Sequence, residues 1–370
     1  MNKVNIIGSI FGQTGYDRHT RGLANGLNDI GVDVKIECPK APQWERFCSD
    51  SELKMINKPF DRERTTISIS QPPFWRLSLS EKPNKFFGFL VWEGDRIPEY
   101  WLEYLMDPRV DKILVPSEHT KQAILNTWEN HVTNNPVNPI TNKIIIVPHG
   151  FDPSIFYQEK PKTKSEKFTF IANKGWSQGE FDRGGLQLLF RAFSEEFTKD
   201  DNVLLKVKIN SAYNPPDWNM QNELEKLKLD RKGKAEMLIT DEQGEDNIIR
   251  ELYNEGDVFI STSMAESFNL PGIEAMACGL PNIQTYYGGQ TDYITKENGW
   301  LITEGELGVF SKELSYEDTQ WFKAKISSIG AAMRYCYKNP EEVKEKGKQA
   351  LADSPGWIWR ESAKKIKTHL

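Results

Sequence analysis

Twelve short apolar runs, separated by amphipathic stretches along the whole chain, limit what this sequence can fold into more than any other feature. In the first half they are Val4–Gly8, Val32–Glu37, Thr66–Ser70, Phe86–Trp92, Lys112–Val115 and Lys143–Val147. The second half restarts with Phe168–Ala172 and continues through Leu204–Ile209, Met237–Thr240, Asp257–Ser261, Pro281–Thr285 and Gly299–Ile302. Runs of that length alternating with helical patterns predict parallel α/β sheets. Each half opens with a strand followed by a glycine-containing loop. The expected fold is therefore α/β, with two doubly wound, Rossmann-like domains facing across a cleft, and ligands at the carboxyl ends of the strands. A single core is uncomfortable at 370 residues, so two domains are the natural division. The polar, aperiodic stretch Tyr157–Lys167 is the best linker, which sets expected domains at residues 1–157 and 158–350 and leaves 351–370 as a terminal amphipathic helix.

Composition excludes several classes. Hydrophobic content of 38%, with eleven Trp and nineteen Phe, is ample for globular cores, and a net charge of −6 argues against nucleic acid as a main partner. Cys38, Cys48, Cys278 and Cys336 show no CxxC spacing, which favours a reducing compartment. The N-terminus enters a strand without a signal-peptide core, and no apolar run approaches the roughly 18–20 residues that span a bilayer. A soluble, cytoplasmic protein is expected. The basic runs Lys226–Lys234 and Lys364–Lys367 read as solvated faces, with weak peripheral contact with anionic membrane as the minor reading.

The most specific motif is Ala265–Pro281, AESFNLPGIEAMACGLP, following the strand that ends at Ser261. Asn269 is a good N-cap, Pro271 suits the first turn, Gly279 can take the left-handed C-terminal position and Pro281 blocks continuation. The free N–H groups and positive dipole end of that helix attract phosphate. Glu266 and Glu274 flank the helix start and would repel a phosphate they touched. They are better placed to accept hydrogen bonds from hydroxyls on either side of it, such as those of a sugar and a ribose.

Other constellations are less specific. Gly8-Ser-Ile-Phe-Gly12-Gln-Thr-Gly15 is a glycine loop through which backbone can approach a ligand, though it is longer than a dinucleotide GxGxxG turn. Glu37 falls near where a ribose-binding acid would lie, so a NAD-dependent oxidoreductase stays open. Lys174 stands at a strand's carboxyl end and Arg183 just before a helix. Together they would stabilise charge building up on a diphosphate leaving group, unless both are solvated loop charges. Glu93 and Asp95 follow an apolar strand and either bind sugar hydroxyls or an acceptor, or pair with Arg96 to order the loop. None of the five histidines stands at metal-ligand spacing, and HExxH and GxSxG are absent, so zinc and serine hydrolases have no support. His149 in Val147-Pro-His-Gly reads as a turn residue before it reads as a catalyst.

With those residues in place, the chain resembles the glycosyltransferases of family 4, retaining enzymes of the GT-B fold. The landmarks run in order over nearly the whole length: the glycine loop, VPSEHTKQAI (Val115–Ile124), VPHGFDPSIF (Val147–Phe156), the basic pair leading into GGLQLLFRAF (Gly184–Phe193), the E-x7-E stretch, and YGGQTDYITKENGWLI (Tyr287–Ile302). The resemblance implies a nucleotide diphosphate sugar as donor, no required cofactor and no essential metal. It implies that Glu266 contacts the donor sugar and Glu274 the ribose. Ser267, Phe268, Asn269 and Leu270 would present backbone N–H groups to a diphosphate neutralised by Lys174 and Arg183, with the base near Thr240. Gly12 and Gly15 would lie by the donor, and the terminal helix would cross back to the first domain. The sequence departs from the family at three points. Glu93 stands where the family commonly has a histidine. The basic pair is Lys then Arg with a wide gap, and Asn269 replaces the glycine of ESFG. Because of Glu93, a catalytically silent nucleotide-sugar binder is the alternative reading. The acceptor, whether glycan, lipid-linked or small molecule, is not readable.

Overall fold

The computed structural model describes residues 2–38, 48–131, 138–159, 166–211, 214, 216–241, 246–311, 313 and 316–370. Residues 160–165 of the expected linker lie outside the described residues. The chain divides into two compact units, Met1–Asp152 with Trp357–Leu370, and Pro153–Gly356.

In the first unit the elements run β1 (Lys3–Ile7), α1 (Gly15–Asp29), β2 (Asp33–Glu37), α2 (Asp50–Ile56), β3 (Thr65–Ile69), α3 (Trp75–Ser80), β4 (Lys85–Phe89), α4 (Leu102–Leu105), β5 (Lys112–Val115), α5 (Glu118–His131) and β6 (Ile144–Ile146). The strands pair in parallel in the order β2-β1-β3-β4-β5-β6. Val4, Ile6, Val34, Ile36, Ile67, Phe87 and Phe89 are buried, as strands covered on both faces require. Strand order turns beside β1, so the glycine loop sits at a switch point of the kind where such sheets take ligands. Thr14 and Asp17 form a capping box at the start of α1. One turn on, the Arg21 guanidinium donates back to the carbonyls of Ile10 (2.5 Å) and Gly12 (2.6 Å). The loop is thus held by its own helix.

The C-terminal helix, Trp359–Lys367, packs on α1 within this unit. A Cβ at Gly22 would stand 2.1 Å from Trp359 Nε1, so only glycine admits the indole there. Phe151 N–H donates to the Trp357 carbonyl at 3.0 Å and anchors the segment before that helix.

A buried histidine pair, not foreseen from the sequence, lies beneath it. The His19 ring is 4.4 Å from that of His149, 4.2 Å from Phe89, and stacked on Trp359 at 5.5 Å. Neither His19 nitrogen has a hydrogen-bond partner among the described residues. Burial first, and the neighbouring His149 second, holds the imidazole well below its ordinary value of 6.5. The folded state therefore keeps His19 neutral where the unfolded chain protonates it. Its contribution to stability is full above pH 6.5 and is lost as pH falls below that value. Urea unfolding from pH 7 to pH 5 is expected to show a slope of up to about 1.4 kcal/mol per pH unit from this group. The slope should flatten in His19→Leu.

The second unit runs β7 (Phe168–Gly175), α6 (Leu186–Glu196), β8 (Val203–Asn210), α7 (Met220–Lys226), β9 (Glu236–Thr240), α8 (Asp246–Glu255), β10 (Val258–Ser261), α9 (Leu270–Ala277), β11 (Asn282–Thr285), β12 (Gly299–Ile302), β13 (Gly305–Gly308), β14 (Trp321–Ala324), α10 (Ile326–Lys338) and α11 (Pro340–Asp353). Its main sheet is parallel in the order β12-β11-β10-β7-β8-β9, with β13 and β14 as a separate antiparallel pair. Read outward from β7, this is the doubly wound order, with its switch point between β7 and β10. Trp176, Phe190, Phe193 and Phe197 pack against one face through Phe170 and neighbouring residues.

Both sheets match the α/β architecture expected from the alternation of runs. β7 is longer than expected because Asn173, Lys174 and Gly175 stay in register with Lys208, Ile209 and Asn210. Among the described residues no helix is long and apolar enough to cross a membrane.

Candidate functional site

Three segments meet at the switch point of the second unit: the end of β7, the loop before α6, and the loop between β10 and α9. Lys174, the penultimate residue of β7, is buried. Its ammonium donates to Glu266 Oε1 at 2.6 Å and to Asn269 Oδ1 at 2.8 Å. Arg183 approaches the same Glu266 oxygen at 3.5 Å while donating to the Ala265 carbonyl at 2.8 Å. Ser263 Oγ also lies 3.5 Å from Glu266 Oε1. Burial pushes the Glu266 carboxyl up, but Lys174 and Arg183 outweigh it and hold it below the usual carboxylate range. Glu266 is therefore an anion clamped by Lys174 and Arg183, although burial holds the Lys174 ammonium below the usual lysine range against the pull of Glu266. The wide spacing of the basic pair is no obstacle to this, because the intervening loop folds back.

Asp182, which sequence reasoning passed over, folds that loop. Its buried carboxylate accepts from the backbone N–H groups of Ser177 (2.8 Å), Gln178 (3.1 Å) and Gly184 (2.7 Å). The sharp turn into α6 is made by Gly185, at φ +74°, where a Cβ would stand 1.9 Å from the Thr262 carbonyl oxygen. Gly185→Ala is expected to cost about 2–3 kcal/mol through backbone strain and that collision. The check is the thermal unfolding midpoint of the variant, which should fall.

Glu274 sits one turn into α9 and is buried. Tyr253 Oη donates to its Oε2 at 3.2 Å and itself accepts from Asn173 Nδ2 at 3.0 Å. Asn173 and Lys174 are adjacent on β7, so one strand end braces both glutamates. Burial and the nearby Glu274 push the Cys278 thiol up to about 12, which keeps it protonated and inert.

The expectation that Asn269 caps α9 is corrected. Asn269 occupies the cap position, but at φ 70° and ψ 67° its side chain makes no capping bond. Its amide is committed to Lys174 and to Gln284. Asparagine is among the few residues that enter the left-handed region readily, so it stands in for glycine here. Gly279, at φ +79°, does take the left-handed position after the helix. Ser267, Phe268 and Leu270 are buried, and the Phe268 ring packs at 5.3 Å from that of Tyr293. Phe268 and Leu270 thus serve the core through their side chains and have only backbone to offer a ligand. The N–H of Gly289, in the YGGQ turn, donates to the Glu266 carbonyl at 2.9 Å. Thr240 ends the edge strand β9 and is exposed.

In the first unit, the loop carrying Glu93 is tied down through its carbonyls. His119 Nε2 contacts the Glu93 carbonyl at 2.8 Å, Asn126 Nδ2 donates to that of Asp95 at 2.9 Å, and the Trp92 indole to that of Arg96 at 2.5 Å. The Glu93 side chain is half-buried. A Cβ on Gly15 would meet nothing within 4 Å, so packing does not require glycine there. Among the described residues no group of three or more His, Cys, Asp or Glu side chains is arranged to hold a metal ion.

Residues 180–316 match the family model described as "Glycosyl transferases group 1". That span holds Arg183, Thr240, Glu266 and Glu274, with Lys174 just before it. A curated relative, "Probable sucrose-phosphate synthase" of Thermosipho melanesiensis, is 28% identical over 173 residues. The match covers 45% of this chain and 38% of the relative, well under half its length. Among solved structures, sucrose-phosphate synthase from Thermosynechococcus elongatus superposes with a TM-score of 0.68 at 15% identity, over 100% of this chain and 98% of that one. Anabaena HepE in complex with UDP and glucose gives 0.71 at 12% identity, over 100% and 99%. The fold is the GT-B fold of these structures, and residues 180–316 of the second unit are similar to the glycosyltransferase group 1 family.

Proposed function

We propose that this chain is a retaining glycosyltransferase that moves a hexosyl group from a UDP- or GDP-linked sugar to an acceptor hydroxyl. One observation carries the reading. At the switch point of the second unit, whose residues 180–316 match the group 1 model, Glu266 Oε1 takes up Lys174 and Arg183, with the buried Glu274 on the helix that follows. Lys174 and Arg183 bring two cationic groups to one point, suited to a diphosphate flanked by hydroxyl-bearing groups. Glu266 is assigned the sugar hydroxyls and Glu274 the ribose. The backbone N–H groups of Ser267–Leu270 with Lys174 and Arg183 are assigned the diphosphate, and Thr240 the base. A relative solved with UDP and glucose supports a nucleotide donor. The resemblance assigns Gly12 and Gly15 to the donor, while Glu93, a departure from the family, is assigned to the acceptor side by its place after an apolar strand.

In the proposed reaction the bond between the anomeric carbon and the phosphate oxygen breaks, and its electron pair stays on the nucleoside diphosphate. Lys174 and Arg183 stabilise that charge. The acceptor oxygen bonds to the same face of the anomeric carbon, and its proton passes to a phosphate oxygen. The test incubates the protein with UDP-glucose or GDP-mannose and a panel of sugar, glycan and lipid-linked acceptors, following nucleoside diphosphate release and product configuration by NMR. Transfer with the donor's anomeric configuration kept is expected, and reduced nicotinamide should not bind. An inverted product contradicts the retaining course. Binding without release would make the protein a silent nucleotide-sugar binder.

A further inference from the structure

Behind Lys174 lies a chain of buried amides that the reaction proposed above does not use. Lys174 Nζ donates to Asn269 Oδ1 at 2.8 Å, and Asn269 Nδ2 donates to Gln284 Oε1 at 2.8 Å. Gln284 Nε2 donates to Asn282 Oδ1 at 2.7 Å and to Tyr293 Oη at 3.3 Å. Asn282 Nδ2 ends on the Leu280 carbonyl at 3.2 Å, and Tyr293 Oη returns to the Asn269 carbonyl at 3.0 Å. An ammonium can only donate and a backbone carbonyl can only accept, so each amide between them has one permitted orientation. Asn269, Gln284, Asn282 and Tyr293 are all buried, so water does not compete for these bonds.

We propose that the Asn269 side chain is the positioning residue for the Lys174 ammonium, locked in place by Gln284 and Asn282. This inference rests on the glycosyltransferase reading above. The ammonium has three donors; Glu266 and Asn269 take two and fix the direction of the third. The anchor is a neutral amide for an electrostatic reason. A second carboxylate touching Lys174 would add to the negative charge of Glu266 and set the ammonium against two anions before any diphosphate arrived. A glycine at position 269 would keep the backbone turn and drop the anchor.

The test uses the full chain and nucleoside diphosphate release from UDP-glucose or GDP-mannose, whichever wild type turns over. Asn269→Gly keeps the left-handed backbone at ease and should remain folded by thermal unfolding. Its kcat is expected to fall about ten-fold or more with donor KM changed less than about three-fold, the pattern of a lost transition-state interaction. In a Lys174→Met background the same substitution should cost less than about two-fold, because its effect runs through the ammonium. Gln284→Met, which keeps bulk and does not touch Lys174, should lower kcat about three-fold with KM preserved. Wild-type kcat in Asn269→Gly overturns the inference, as does an equal fractional loss with and without Lys174; wild-type kcat in Gln284→Met overturns the lock on Asn269. If Lys174→Met alone leaves turnover intact, the donor-site reading itself fails and this inference with it. Loss in Lys174→Met with none in Asn269→Gly leaves that reading standing and removes only the positioning role.

Discussion

Glu266→Ala is expected to lose turnover by about a thousand-fold and to destabilise the second unit as well, because one carboxylate serves two purposes. The first is chemical: under the proposed function the variant loses the carboxylate assigned to accept from the donor sugar's hydroxyls. The second is structural. Lys174 is buried, and Glu266 is its nearest anion, at 2.6 Å. Removing one partner of a buried pair strands the other charge, at a typical cost of about 3–5 kcal/mol. Asn269 Oδ1 still accepts from Lys174, which places the expected loss at the lower end, about 3 kcal/mol. Urea unfolding and donor turnover measured on the same preparation check both parts. Lys174→Met combined with Glu266→Ala should recover much of the stability and none of the activity. That recovery would separate the two purposes.

Arg183→Ala is expected to cut turnover about a hundred-fold while leaving stability nearly unchanged. Arg183 is a third exposed, and its contact with Glu266, at 3.5 Å, is longer than that of Lys174. Such a pair contributes little to folding in water. Its worth should appear when charge grows on the departing diphosphate, where a fixed cation needs no reorganisation. Steady-state kinetics should show a fall in kcat larger than any rise in donor KM. Arg183→Lys should recover only part, since an ammonium lacks the planar fork that also reaches the Ala265 carbonyl.

The twelve main-sheet strands were legible as short apolar runs, most of them buried on both faces, with the edge strands β6 and β9 half-buried or exposed. β13 was not, since Gly305-Glu-Leu-Gly308 has neither an apolar run nor alternation and is exposed or half-buried, and β14, Trp321–Ala324, is a four-residue run whose only strand partner among the described residues is β13. The glutamate pair and its helix could be read from Pro271, Gly279 and Pro281 around the motif. The convergence of Lys174 and Arg183 on one oxygen of Glu266 could not, because it depends on how the loop from 175 to 185 folds. That loop is organised by Asp182 accepting three backbone N–H groups, and an aspartate before two glycines gives only a weak turn signal. Asn269 misled for a related reason. Asparagine is favoured both as a helix cap and in the left-handed region, and only the buried neighbours Lys174 and Gln284 decide between them. The histidine pair was hidden because His19 and His149 are 130 positions apart in the chain and are brought together by β4 and the C-terminal helix.

Under the proposed function, the β7–β10 switch point of the second unit binds a nucleotide diphosphate sugar through Glu274 and the Arg183 cation. Titration calorimetry of UDP-glucose and GDP-mannose against wild type, Glu274→Ala and Arg183→Ala tests it most directly. Saturable binding of at least one donor by wild type is predicted, weakened about ten-fold or more in each variant, as the loss of a hydrogen bond to a charged group implies. Donor affinity equal to wild type in both variants would rule out donor binding through Glu274 and Arg183.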